Sequence, residues 1–355
     1  MPEAKVRAAF AEQAEWCDRL DSPFTALLCR LLGERLGRNT CTGRKALGWQ
    51  GSPSPLADAL ALRLCGGLQA LSRGGRYPGL AACYPPHPLP DPDSLWAALE
   101  PALDDPELPA WLGRAPQTNE VGRSAVLMSG LLVIADCFSR PMELLELGAS
   151  AGLNLLMDHY GHELGGVRAG DPGSPLQLAP DWSGSAPPKA RIEIASRAGV
   201  DLTPLDARSD GDRLSAYVWP EQARRQAQLA AALAIAAHCP VQVEQADAAD
   251  WLERRLAEPA RPGLVRVVYH SVAFHYFPAE AQARIAARLS EVGAQASSAT
   301  PLAWLRYEQE PGDEHFSLQL RVWPGDEQWR LAECHPHGRW IRWLRSFPRV
   351  SPRGR

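Results

Sequence analysis

The chain has 355 residues, 45% of them apolar and 22% charged, with a formal net charge of −4. That length suggests two domains or one large domain with an appended part, and that balance suggests a globular chain with a real core. The small negative charge excludes a global field that would recruit nucleic acid or an anionic membrane.

The opening residues, "MPEAKVRAAFAEQAEW", carry acids and lack the apolar stretch of a signal peptide. No run of about 18 apolar residues is present for a membrane span. The eight cysteines are scattered and none forms C-x-x-C, which excludes a zinc ribbon and a disulfide framework. These signs point to the cytoplasm. Up to about Arg140 the pattern is helical. Val6, Phe10, Cys17 and Leu20 mark a first stripe. Ser22-Pro23 opens a second helix with Phe24, Leu27, Leu28, Leu31 and Leu32 on its apolar face, and Gly37 ends it. Ser54-Pro55 repeats the start signal ahead of Leu56, Leu60, Leu64, Leu68 and Leu71, and Gly74-Gly75 stops that helix. "YPPHPLPDPD" (84–93) reads as a loop, with a short helix after it near Leu95 to Leu99. Asn119 is placed to cap a helix through Val126, Leu127, Leu131, Ile134 and Phe138. No strand is expected before Met142.

From Met142 onward strands alternate with helices, the texture of βαβ units on a parallel sheet. The strands are expected at Glu143–Leu147, Arg191–Ser196, 241–247, within 264–277 and at 301–308. Helices are expected from about Ala151, from Pro220 to His238, and after Pro278. Residues 161–189 form a Gly/Pro-rich insertion with room for a small hairpin. "FSLQLRVWPG" and "EQWRLAECH" read as two strands joined at Pro-Gly-Asp. After Arg339 come Arg342, Arg345, Arg349, Arg353 and Arg355 with no acid, and Trp340, Trp343 and Phe347 sit among them at helical spacing. A docked terminal segment with one buried face is the plain reading; an anionic partner is the sharper one.

"MELLELGASAGLNLLMD" (142–158) holds the chemistry. Gly148-Ala149-Ser150-Ala151-Gly152 fits the G-x-S-x-G elbow of a serine hydrolase. It also fits a Gly-rich turn at the carboxyl end of a strand, which holds a nucleotide-like cofactor. Position favours the second. The turn follows the first strand of its sheet, and no H-G-G-G-type loop precedes it. A triad of Ser150, Asp247 and His270 can be drawn only on paper. In the cofactor reading Glu146, Gly148, Ser150, Gly152 and Asn154 form the turn and its support. N–H groups at the following helix start suit a carboxylate. Asp247 and Ala248 in "EQADAADWL" stand at the adenine position, or Asp247 or Asp250 simply caps a helix. Asp201 or Asp206 in "SRAGVDLTPLDA" faces the ribose hydroxyls. His270, Ser271, His275 and Tyr276 leave the fourth strand where an acceptor would lie, with His270 and His275 as candidate bases; a hydrogen-bonded structural role for His270 is the alternative. In "PQTNEVGRSA", Asn119 and Arg123 are candidate substrate ligands, or an N-cap and a surface ion pair. Cys334, His335 and His337 are the one tight cluster of metal-ligand types, and no second pair accompanies them.

Five alternating strands followed by a hairpin resemble the class I S-adenosylmethionine (SAM)-dependent methyltransferase fold. The motifs "VRAAFAEQAEWC", "SPFTALLC", "QTNEVGRSA", "ELGASAGLNLLMDHY", "YVWPEQARR", "DAADWL", "YHSVAFHYFP", "PLAWLRYE" and "HGRW", in this order from about Val6 to Leu344, resemble the bacterial family called domain of unknown function 2332. That resemblance implies a Rossmann-like, methyltransferase-type domain from about 141 behind an all-helical N-terminal region of about 1–140. The expectation is a SAM-dependent methyltransferase-like protein whose helical region caps the sheet. A small-molecule acceptor is favoured, since no nucleic-acid-binding stripe is evident. The alternative is a SAM-binding or empty interaction module, because Ser150 replaces the middle Gly and no D/N-P-P-Y motif follows the fourth strand.

Overall fold

Apolar residues recurring at three and four make the leading part of the chain helical. In the computed structural model, which describes residues 2–345, they form α1 (Pro2–Arg19), α2 (Pro23–Arg35), α3 (Cys41–Leu47), α4 (Leu60–Arg73), α5 (Pro78–Ala81), α6 (Pro92–Leu103) and α7 (Leu108–Leu112). α4 starts later than Ser54-Pro55 suggests: residues 55–58 form a turn and Leu56 is 78% exposed. α3, α5 and α7 are too short to register as periodic runs. α3 is marked instead by its cap, with Gly43 N donating to Thr40 Oγ1 at 3.0 Å. Phe10, Phe24, Leu28, Leu32, Leu47, Leu64 and Leu99 meet in one core.

The next elements are α8 (Arg123–Phe138), β1 (Met142–Leu147), β2 (Gly161–Leu164), β3 (Val167–Gly170), β4 (Gln177–Leu178), β5 (Asp181–Ser183) and β6 (Ile194–Asp201). After them come α9 (Gly211–Ala216), α10 (Ala223–His238), β7 (Val243–Gln245), α11 (Ala248–Ala257), β8 (Val265–Ser271), α12 (Ala279–Ala294), β9 (Leu302–Glu308), β10 (Phe316–Trp323), β11 (Glu327–Cys334) and β12 (Trp340–Trp343). Two compact units result. A helical unit ends at Thr118 and takes in Asp210–Ala227; a sheet unit spans Asn119–Ser209 and continues from Gln228.

The sheet unit is mixed α/β. Its nine strands run in the order β5-β12-β11-β10-β9-β8-β1-β6-β7. The five strands β7-β6-β1-β8-β9 are parallel, and β10, β11 and β12 follow as antiparallel neighbours. The β10–β11 hairpin turns at Pro324-Gly325-Asp326 as expected, but it is not the sheet edge. β12 and then β5 extend the sheet beyond it. The stretch 340–343 is therefore a strand, not a helix: hydrogen-bond pairing with β11 and β5 overrides the helical spacing of Trp340 and Trp343. Arg342 pairs with Glu333, and Arg345 lies over the Trp329 ring. Phe347, Arg349, Arg353 and Arg355 fall outside the described residues. β6 also lies further along than expected, at Ile194–Asp201. It is set by its register with β1, Leu144 against Arg197 and Leu147 against Val200, and not by local alternation.

Both faces are covered, so all seven residues of β8 are buried. Leu145, Leu147, Val268, Leu302, Trp304 and Trp323 pack with Trp251, Leu252, Ile285 and Leu289 of α11 and α12. α8 packs across β8, β9 and β10 on the opposite face. Gly293 of α12 lies so close to Trp323 that an added Cβ would be 2.4 Å from the ring. Gly→Ala inside a helix ordinarily gains about 1 kcal/mol. Overpacking against a rigid indole costs about 1–3 kcal/mol and wins. We therefore expect Gly293→Ala to destabilise the protein by up to about 2 kcal/mol in urea unfolding; a stabilised variant contradicts this packing.

Candidate functional site

β1 has β6 on one side and β8 on the other. The chain goes from β1 to β6 and β7 on one flank, then returns to β8 and β9 on the other. The carboxyl ends of β1 and β8 thus flank the reversal of strand order, where open α/β sheets bind ligands. The Gly-rich turn lies at this end.

Within the turn, Gly148, Ser150 and Gly152 all have positive φ, +73°, +54° and +74°. Gly tolerates that region without cost, whereas serine is strained there. Gly148 N and Ala149 N both donate to the Val200 carbonyl, at 2.9 and 3.0 Å. Ser150 N donates to Asp201 Oδ2 at 2.9 Å, and Gly152 N to the Ala149 carbonyl at 2.8 Å. A Cβ on Gly148 would lie 2.7 Å from Ala273 Cβ, and one on Gly152 would lie 2.6 Å from Val241 Cγ2. Ser150 is 4% exposed, and its Oγ has no hydrogen-bond partner.

The element after the turn is a 3₁₀ helix, Leu153–His159, and not the α-helix expected from Ala151. Side chains bond to its backbone: one caps its first N–H and two occupy carbonyls that an α-helix would use. Asn119 Oδ1 accepts from Leu153 N at 2.8 Å, the Tyr160 hydroxyl donates to the Leu153 carbonyl, and Arg197 Nη1 donates to the Leu155 carbonyl. The N–H groups expected to meet a carboxylate are thereby occupied at Leu153 as well as within the turn. Asn119 is buried and does not cap α8, which starts from Gly122 without a side-chain cap. Asn154 is buried too, accepting from Ser124 Oγ at 2.7 Å.

Glu146 is fully enclosed and accepts from the Tyr269 hydroxyl at 3.3 Å. Burial pushes its pKa well above the ordinary range. Tyr269 pulls it down, Asp201 pushes it up and Arg123 pulls it down, and burial prevails. Asp201, at the end of β6, also accepts from Thr203 N at 2.9 Å. Asp206 is exposed and holds Arg208 N. Asp247 is the N-cap of α11, accepting from Ala249 N and Asp250 N at 2.9 and 3.1 Å; Ala248 is buried behind it.

His270 is 0% exposed and faces away from Glu146, because successive strand residues alternate. Its Nδ1 meets Glu308 Oε1 at 2.7 Å, its Nε2 accepts from Trp304 Nε1 at 3.3 Å, and its ring stacks on Phe274. Both ring nitrogens of His270 are thus engaged within the protein. Glu308 also accepts from Ala273 N at 3.0 Å, Phe274 N at 3.1 Å and His275 Nδ1 at 3.4 Å. Burial pushes the Glu308 carboxyl up, yet the His270 and His275 hydrogen bonds overcome it and hold its pKa well below the usual range. Sequence reasoning passed over Glu308. Its signal is an acid closing a strand, the position that Asp201 also occupies. His275 is half exposed, and Tyr276 is 77% exposed against it.

Arg123 reaches two backbone carbonyls. Its Nη1 donates to the Ser271 carbonyl and its Nε to the Pro336 carbonyl, each at 3.0 Å. Ser271 is buried. Ser150, Asp247 and His270 share no hydrogen bond, so the hydrolase triad is not assembled. His337 N donates to His335 Nδ1, and among the described residues no three His, Cys, Asp or Glu gather as metal ligands.

The family described as "Uncharacterized protein conserved in bacteria (DUF2332)" matches residues 7–343. The chain belongs to this family. No curated protein matches it. Among solved structures, an O-methyltransferase family protein from Burkholderia thailandensis is 12% identical, over 87% of this chain and 77% of that one, with a TM-score of 0.24. A second, titled as the DhpI-SAM-HEP complex, is 11% identical over 62% of this chain and 84% of that one, with a TM-score of 0.20. Superpositions this loose decide neither the fold nor the chemistry.

Glu146 gives a pH signature. Its folded-state pKa is raised, so its contribution is whole below the unfolded value of about 4.3 and is lost as pH rises toward the raised value. Over that window the wild type should lose up to about 1.4 kcal/mol per pH unit relative to Glu146→Gln. Urea unfolding of both proteins from pH 5 to pH 8 checks this; a difference that stays flat with pH contradicts it.

Proposed function

We propose that this protein is a SAM-dependent methyltransferase of the Rossmann-like class I type, acting on a small molecule. The observation that carries the reading is a Gly-rich turn at the reversal of strand order, held by the Asp201 carboxylate, with a buried, unpartnered Ser150 hydroxyl. The charge of the turn argues against a dinucleotide. A pyrophosphate needs free backbone N–H groups or cations, and here Gly148, Ala149, Ser150, Gly152 and Leu153 already donate within the protein. Asp201 suits the opposite ligand, one with an ammonium group, a sulfonium and ribose hydroxyls, and Glu146 lies enclosed behind the turn.

In this reading Glu146, Gly148, Ser150, Gly152 and Asn154 make and support the methionine side of the pocket. Asp201 takes the ribose hydroxyls in preference to Asp206, because it adjoins the turn. Asp247 and Ala248 border the adenine. Asn119 and Arg123 brace the pocket through backbone groups, and Ser271, His275 and Tyr276 face the acceptor. Bound SAM supplies an electrophilic methyl group. His275 takes the acceptor's proton at Nε2, its Nδ1–H being directed to Glu308. His270 and Glu308 hold the loop that carries it.

A second reading, an empty Rossmann-like module that binds no SAM, is favoured by one observation: Ala273 stands against Gly148, where a G-x-G-x-G turn meets its cofactor. Calorimetric titration with SAM and S-adenosylhomocysteine separates the two. The methyltransferase reading expects binding of both, weakened about tenfold or more by Asp201→Asn, the loss of a charged hydrogen bond, and unchanged in Asp206→Asn. No heat of binding at micromolar protein and ligand overturns it and leaves the second reading.

A further inference from the structure

The loop that leaves β8 covers the Gly-rich turn. A Cβ on Gly148 would lie 2.7 Å from Ala273 Cβ and 3.7 Å from Phe277 Cζ, so this face of Gly148 looks onto that loop. A glycine in such a turn lets a ligand come close to the backbone. Here the chain's own Ala273 makes that approach, and Ser150, two residues on from Gly148, is 4% exposed. A ligand lying on Gly148 and the loop therefore compete for the same space.

The loop also holds a strained residue. Val272 has a φ of +51° and is the one β-branched residue with positive φ among the described residues. That region crowds any Cβ, and a branched one most. Such strain persists only where the surroundings impose it, and it gathers at clamps and switches. The surroundings here are a few hydrogen bonds. Val272 N donates to the Tyr307 carbonyl at 2.8 Å. The next two N–H groups, of Ala273 and Phe274, donate to Glu308 Oε1 at 3.0 and 3.1 Å. Gln282 Nε2 of α12 donates to the Phe274 and Phe277 carbonyls at 3.0 and 2.9 Å. Between these anchors His275 and Tyr276 are exposed. Two side chains thus hold the loop down against one strained dihedral. A segment so balanced opens locally, at far lower cost than unfolding the buried strand it follows.

We propose that Val272–Phe277 is a gate over the Gly-rich turn, with Val272 as its hinge and Glu308 and Gln282 as its latches. The gate is shut in the free protein and swings away when a ligand lies on Gly148. It rests on the SAM reading for the identity of that ligand; the opening itself does not. Hydrogen exchange with mass-spectrometric readout, on the full chain, tests the opening first. Gln282→Ala removes one latch and should speed exchange of the Ala273 and Phe274 amides about tenfold. Val272→Asn puts a residue that tolerates positive φ at the hinge and should slow it about fivefold. Both positions are only half-buried, and β8 itself should exchange alike in all three proteins. SAM is then added. A ligand that needs the open state binds tighter by the factor that enriches that state. Calorimetry should therefore find SAM about tenfold tighter in Gln282→Ala and about fivefold weaker in Val272→Asn, and bound SAM should expose the Ala273 and Phe274 amides. Exchange of these amides in step with β8 in all three proteins overturns the gate. So does bound SAM that protects them further, which leaves the SAM reading intact. Absence of SAM binding in all three sinks the SAM reading alone; differential exchange in the free proteins then upholds the gate and uniform exchange overturns it.

Discussion

The Val200 carbonyl and the Asp201 carboxylate hold the turn that follows the central strand. Between them they accept from three consecutive N–H groups, those of Gly148, Ala149 and Ser150. Both acceptors sit at the end of β6, which pairs in parallel with β1, so the register of two strands determines the path of the turn. That path demands positive φ at Gly148, Ser150 and Gly152. It also turns the backbone donors inward and leaves acids at the strand ends, which sets the chemistry the turn can serve. Ser150 is strained by this arrangement and carries a hydroxyl with no partner, two costs at one residue.

Strand alternation divides the remaining polar groups between the faces of the sheet. Glu146 and Tyr269 look toward one side. His270, the next residue along β8, looks toward the other, where Trp304 and Glu308 receive it. The loop after β8 links the second group to the Gly-rich turn. Glu308 accepts from Ala273 and Phe274 in that loop, and Ala273 in turn stands over Gly148. A carboxylate on β9 thereby positions a loop against the turn after β1, with no direct contact between the two polar clusters.

Much of this was legible in the sequence, for identifiable reasons. The strands of the parallel core announce themselves as doubly buried runs such as "LVRVVY", and Pro-Gly-Asp marks the hairpin. The Gly-rich turn is visible because its geometry needs glycine at Gly148 and Gly152. What was not legible depends on distant partners. Leu153, Leu155 and Leu156 look helical, but Asn119 caps the first N–H and Tyr160 and Arg197 occupy carbonyls that an α-helix would use. β6 and β12 owe their positions to neighbouring strands rather than to their own patterns. His270 offers the same residue type to a structural role as to a catalytic one, and its partners Glu308 and Trp304 lie on another strand that its own sequence neighbourhood does not reveal.

The central claim is that the turn between Gly148 and Gly152, with Asp201 beside it, is a SAM site. Ultraviolet crosslinking of radiolabelled SAM to the full chain, followed by peptide mapping, tests this most directly. The account predicts label in the peptides that carry residues 142–158 and 194–208, competed away by S-adenosylhomocysteine. Label confined to other peptides, or none that S-adenosylhomocysteine displaces, contradicts it.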